Sequence, residues 1–158
     1  MDSLSTFIKK NIRLLLGAAV VIFAVVLLIT LAISRKSTKV LVDDQSFRVT
    51  VAKSEKDKQI GLSKTDKIGD SQGMLFVFDS PDYYPFWMKE MKFPIDIIYI
   101  NGDKVTTVIN SAKPPTSANE NLNIYQPGDK SDKVLEVNAG IAKKHNIKNG
   151  TQVKIENL

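Results

Sequence analysis

Twenty consecutive uncharged residues, Leu14 to Ile33, constrain this chain more than any other feature. As a helix they rise roughly 30 Å, about the hydrocarbon thickness of a bilayer. Leu, Ile, Val and Phe fill fourteen of the positions. On the insertion scale those residues favour the membrane by about 4–8 kcal/mol. A soluble core helix carries a polar stripe along one side, and this run has none. The run predicts a single transmembrane helix over 14–33, with residues 1–13 as a tail and 34–38 as a linker to a domain over 39–158.

Lys9, Lys10 and Arg13 precede the run, and Arg35, Lys36 and Lys39 follow it, so the positive-inside rule gives a near tie. The short tail and the folded domain beyond the run favour a signal-anchor, with the tail in the cytoplasm and the domain outside. The alternative is a secretory signal peptide cut after Ser34, where Ala32 and Ser34 supply the small residues such cleavage needs. Secretory apolar segments usually span about 7–15 residues, which favours the uncleaved anchor.

Charge divides unevenly along the chain. Residues 1–36 hold five Lys and Arg against one acid, and residues 37–158 hold seventeen against sixteen. The basic character thus belongs to the membrane flanks, and the nearly neutral domain offers no nucleic-acid surface. There is no Cys, which removes disulfides, thiolate catalysis and Cys-ligated zinc. His145 is the only histidine, so multi-His metal sites within one chain are excluded. No cofactor or metal is expected.

The domain reads as mainly β, a small sandwich or barrel-like body with one or two short helices. Phe47, Val49 and Val51 alternate with polar or small residues in a strand over 46–53. Met74–Phe78 is an unbroken apolar strand, which implies burial on both faces. Ile95–Ile100 and Lys104–Ile109 flank Asn101-Gly102, the pattern of a hairpin. Further strands are expected over 39–43, 134–137 and 153–155. Ser54 is placed to cap a short helix through Leu62, limited by Gly61, and a second helix is expected within 139–145. Residues 111–132, with three prolines, read as a long loop.

Two acids stand inside apolar runs. Asp96 lies within Phe93–Ile100, and Glu136 lies between Leu135 and Val137. A carboxylate so placed takes a partner or protonates. Each is either a ligand contact or a structural brace, and a shared cleft would let the pair perform acid–base hydrolysis. Tyr83, Tyr84, Phe86 and Trp87 gather four of twelve aromatics in five positions, suited to a sugar or an apolar ligand, or to the core. Met74, Met88 and Met91 suggest a soft-metal site on spacing, but core packing explains them better.

The blocks Gly61-Leu62, Gly73–Phe78, Phe86-Trp87-Met88, Pro94–Ile98 and Leu135–Gly140 resemble those of the domain-of-unknown-function-192 (DUF192) family, over about residues 45–156. That resemblance implies a compact β-rich domain, often behind an N-terminal signal or anchor, and implies no established activity or cofactor. Two positions depart from the family pattern: Ser63 stands where Met is usual, and Glu90-Met91 where Asn-Thr is common. The sequence points to a membrane-anchored binding domain for a small molecule, an envelope glycan or a protein. Trp87, Asp96, Glu136, Tyr83 and Tyr84 form its expected site. The alternatives are a hydrolase using Asp96 and Glu136, and an assembly module of the cell envelope. A ligand-contacting Asp96 predicts that Asp96→Asn removes binding and spares stability.

Overall fold

The computed structural model describes residues 2–33, 37–117 and 122–158. Within the first segment, the side chains of Phe7, Asn11, Ile12 and residues 16–28 are described. The expected cleavage point after Ser34, the first part of the linker and residues 118–121 of the long loop lie outside the described residues. The chain divides into two units, residues 1–36 and 37–158.

The first unit is one helix, α1 (Asp2–Ile33). Every described side chain between residues 16 and 28 is exposed. That stretch rises about 20 Å, less than the roughly 30 Å of a bilayer core. Among the described residues no helix is long and apolar enough to cross a membrane. The side chains of Leu14, Leu15 and residues 29–33, which complete the apolar run, lie outside those described.

The second unit is built on a seven-stranded sheet. Strands β1 (Lys39–Val42) and β2 (Gln45–Ala52) form a hairpin, and Asp43 at its turn takes a positive φ of 52°. A crossover carrying the short helix α2 (Glu55–Ile60) leads to β3 (Gln72–Asp82), which lies parallel to β2. After β4 (Phe86–Trp87), the hairpin of β5 (Ile95–Asn101) and β6 (Lys104–Ala112) follows. Then come β7 (Ile124–Tyr125), β8 (Ser131–Asn138), α3 (Ile141–Lys144) and β9 (Val153–Glu156). The sheet order is β6-β5-β8-β3-β2-β1-β9, while β4 and β7 pair separately.

The sheet curls until its edges meet. Lys104 bridges to Gln152, the Val105 amide donates to the Thr151 carbonyl at 2.9 Å, and the Val153 amide donates to the Asp103 carbonyl at 2.8 Å. Curling encloses one face. Its core joins Val40, Phe47, Leu75, Ile98, Val105, Leu135, Val137 and Val153, drawn from both ends of the strand order. The other face looks outward from the middle strands. Phe76, Ile97, Tyr99 and Val134 pack there beneath Leu62, Met88 and Met91, which come from connecting segments. The mainly β expectation holds, as a curled sheet with few short helices.

Strand alternation places these cores. In β2, Phe47 and Val49 are buried while Arg48 and Thr50 are exposed. In β3, Leu75 and Val77 join the inner core, and Met74, Phe76 and Phe78 join the outer one, so the unbroken apolar run does pack on both faces. The hairpin turn falls one residue later than expected, because Asn101 pairs with Lys104 and leaves Gly102-Asp103 as the loop. Ser54 caps α2 by accepting from the Asp57 amide at 3.1 Å. Gly73 has a steric role: a Cβ there would run into the Glu136 carbonyl oxygen on β8.

Candidate functional site

Glu136 sits on β8 opposite Met74 of β3 and Ile97 of β5. Paired residues share a face, so its side chain enters the outer core. Only 5% of it is exposed. Its Oε2 is buried with no hydrogen-bond partner among the described residues. Burial pushes its carboxyl up to about 8. The neighbouring Tyr99 hydroxyl is also raised, by burial and then by Glu136. Tyr99 donates to the Tyr125 carbonyl at 3.2 Å and does not satisfy the acid.

Glu136 lines a pocket of about 210 Å³. One wall is α2 and the turn after it, through Lys58, Ile60, Leu62 and Ser63. Facing it are Phe76 and Phe78 of β3, Tyr84, Phe86 and Trp87, with Met91 alongside. Rings brace one another around the cavity. Phe76 meets Phe86 edge-on at 4.9 Å, Phe86 meets Tyr99 edge-on at 5.9 Å, and Tyr84 stacks on Phe78 at 3.6 Å. The Tyr84 hydroxyl donates to the Ser80 carbonyl at 2.8 Å, which fixes the ring. Lys58 places its ammonium 4.7 Å from the Phe78 ring centre and 3.0 Å from Glu55. The site therefore combines apolar, polarisable walls with one buried carboxyl whose Oε2 has no hydrogen-bond partner among the described residues.

The expected site residues separate. Glu136, Tyr84 and Trp87 come together in this pocket, whereas Tyr83 is about half exposed and does not line it. Trp87 is 58% exposed and stands at the rim. Asp96 lies elsewhere. It pairs with Val137, one residue along from Glu136, and so points to the opposite face of the sheet. There Oδ1 accepts from the Ser111 amide and Oδ2 from the Ala142 amide, each at 2.8 Å. Ser111 holds a positive φ of 53°, and α3 has no side-chain cap of its own, so Asp96 braces both backbones. The structure does not bring the two carboxyls into one cleft. Met88 and Met91 are buried in the outer core. Among the described residues no group of three His, Cys, Asp or Glu gathers to hold a metal.

Sequence reasoning missed the α2 wall, Phe78 and the Lys58 ammonium. The signal for the wall was present in the two departures from the family pattern, since Ser63 and Met91 both line the pocket. Ser63 donates to the Ile60 carbonyl at 2.7 Å, so its small side chain is turned to the backbone and leaves room in the cavity.

Fold and site together define a mainly β domain on one curled sheet with an aromatic pocket on its outer face. The family model of DUF192, described as "Uncharacterized ACR", matches residues 38–155, and the chain belongs to that family. A solved "putative transcription regulator" from Sinorhizobium meliloti is 22% identical with a TM-score of 0.65, the match covering 74% of this chain and 90% of that one. A protein of unknown function from Novosphingobium aromaticivorans is 29% identical with a TM-score of 0.63, covering 75% of this chain and 83% of that one. The first likeness, at its low identity, shows the fold alone. No curated protein matches the chain.

The two acids should respond differently to amidation. Asp96→Asn keeps one oxygen acceptor where two are used, and should lower unfolding stability by about 1.5–3 kcal/mol in urea denaturation without reshaping the pocket. For Glu136, the unfolded carboxyl titrates near 4.5 and the folded one near 8. Between those values the unfolded chain has released a proton that the fold retains, so stability falls as pH rises and levels off above about 8. Denaturation at pH 5 and pH 9 should show Glu136→Gln gaining about 4 kcal/mol on the wild type over that interval.

Proposed function

We propose that this chain is a membrane-anchored binding domain whose ligand is a small molecule seated in the outer-face pocket. The observation that carries the reading is the buried Oε2 of Glu136, unpartnered among the described residues, in the lining of an aromatic cavity. A buried polar group without a partner costs about 1–3 kcal/mol and calls for an explanation, which a ligand supplying the missing bond provides here. Apolar walls with few polar anchors are the usual form of a small-molecule site. Glu136 is the polar anchor, Phe76, Phe78, Tyr84 and Phe86 form the walls, and Trp87 is the rim.

A paired-carboxylate hydrolase finds no support, because Asp96 is committed to two backbone amides on the other face of the sheet. The assembly reading draws on one observation. Trp87 and Ile124, paired across β4 and β7, are 58% and 62% exposed, an apolar patch fit for a protein partner. The charge balance of residues 37–158 argues against a nucleic-acid role.

For the anchor, the support is the uncharged run from Leu14 to Ile33 and the exposure of its described apolar side chains. In this reading the domain faces away from the cytoplasm, at the cell envelope. The full chain should stay with membranes through alkaline extraction, and deletion of residues 1–36 should release it. Protease added outside intact cells should digest the domain, and full protection would reverse the orientation.

Trp87 is the chain's one tryptophan, so its emission reports on the pocket directly. In a thermal-shift screen of the full chain against metabolites and envelope sugars, a ligand of this site should raise the melting temperature and alter Trp87 emission together. Trp87→Ala should weaken that ligand about tenfold while leaving stability within about 0.5 kcal/mol, as for an exposed side chain. Ligands that stabilise the fold with no change in Trp87 emission would place the site elsewhere.

A further inference from the structure

We infer that the Glu136 pocket selects a small protonated amine, with an N–H of the ammonium donating to the carboxylate and the apolar substituent held against the rings. This rests on reading the pocket as a ligand site and narrows the ligand's class. Oε2 of Glu136 is a built acceptor whose donor is missing among the described residues. The walls around it are rich in aromatic rings, and such rings attract cations through the ring quadrupole.

The same pocket already holds one ammonium in this manner. Lys58 Nζ lies 3.0 Å from the Glu55 carboxylate and 4.7 Å from the centre of the Phe78 ring, with its side chain only 15% exposed. A carboxylate and a ring together seat that cation. Glu136 shares the lining of this pocket with two further rings, Phe76 and Phe86, and its Oε2 has no partner among the described residues.

The charged groups around Glu136 are consistent with this choice. From α2, Glu55 and Lys58 neutralise each other. Lys89, beyond β4, is exposed and screened by water. Tyr84 and Tyr99 spend their hydroxyl protons on the Ser80 and Tyr125 carbonyls. An anionic group at the base would meet the Glu136 carboxyl, while the largely buried Lys58 ammonium of the same pocket is already paired with Glu55. In the empty pocket at neutral pH Glu136 holds its proton, so uptake of an ammonium ion releases that proton to the buffer. Amine affinity then follows the ionised fraction of Glu136, which grows about fivefold from pH 7 to pH 8.

The test titrates the full chain with cyclohexylmethylamine and with cyclohexylmethanol, its uncharged isostere, at pH 7 and pH 8, reading Trp87 emission. At pH 8 the amine should bind about tenfold more tightly than the alcohol, as a charge-assisted hydrogen bond exceeds a neutral one. Its affinity should fall about fivefold at pH 7 while that of the alcohol does not. Calorimetry in buffers of different ionisation enthalpy should record close to one proton released per amine at pH 7. Glu136→Gln should level amine and alcohol, and the pH dependence of the wild type draws the same distinction without any variant. Equal binding of the two compounds overturns the amine class and leaves the pocket a binding site, and an amine preference that survives Glu136→Gln overturns Glu136 as its anchor. Silence from both also overturns the amine class, whereas the broad screen decides separately whether the pocket binds at all.

Discussion

A strand sends successive side chains to opposite faces of its sheet, and the two-residue period of β8 divides this domain. Leu135 and Val137 enter the enclosed core, while Val134 and Glu136 join the outer one. Its neighbours keep the same beat: Ile98 of β5 and Leu75 of β3 go inward, and Ile97, Tyr99 and Phe76 go outward. A slip of one residue would drive Glu136 into the apolar interior and expose Leu135 to the pocket side. Gly73 helps prevent it, because only a residue without Cβ allows β3 to lie against the Glu136 carbonyl.

The same division explains why two buried acids on adjacent strands have different chemistry. Asp96 has both oxygens bonded to backbone amides and acts as a joint between β5, the end of β6 and α3. Glu136 is also buried, yet its Oε2 is bonded to nothing among the described residues. Burial is common to both, and satisfaction separates them. One acid is satisfied by its own fold, and the other keeps an unsatisfied oxygen among the described residues.

Much of the fold was legible in local pattern. The alternation at Phe47–Val51, the apolar runs at Met74–Phe78 and Ile95–Ile100, the Ser54 cap and the glycine near residue 102 each encode a short-range preference, and the elements formed there. The site was legible only in part. Asp96 and Glu136 look alike in sequence because both interrupt apolar runs, but the face each one reaches depends on strand register across residues some forty apart. The β4–β7 pairing is two residues long and has no period to read. Nothing in the residues around Lys58 announces that the Phe78 ring lies beneath its ammonium.

The wall formed by α2 contributes no buried residue within the helix, although it closes one side of the pocket. Ser54 and the Lys58–Glu55–Phe78 contacts hold it, rather than the core. Mouth and base therefore carry different costs of change. The β8 base is tied to the sheet on both sides, whereas the α2 side can be altered with little loss to the core. Substitutions along α2 would reshape the opening of the cavity while Glu136 stays where the sheet holds it.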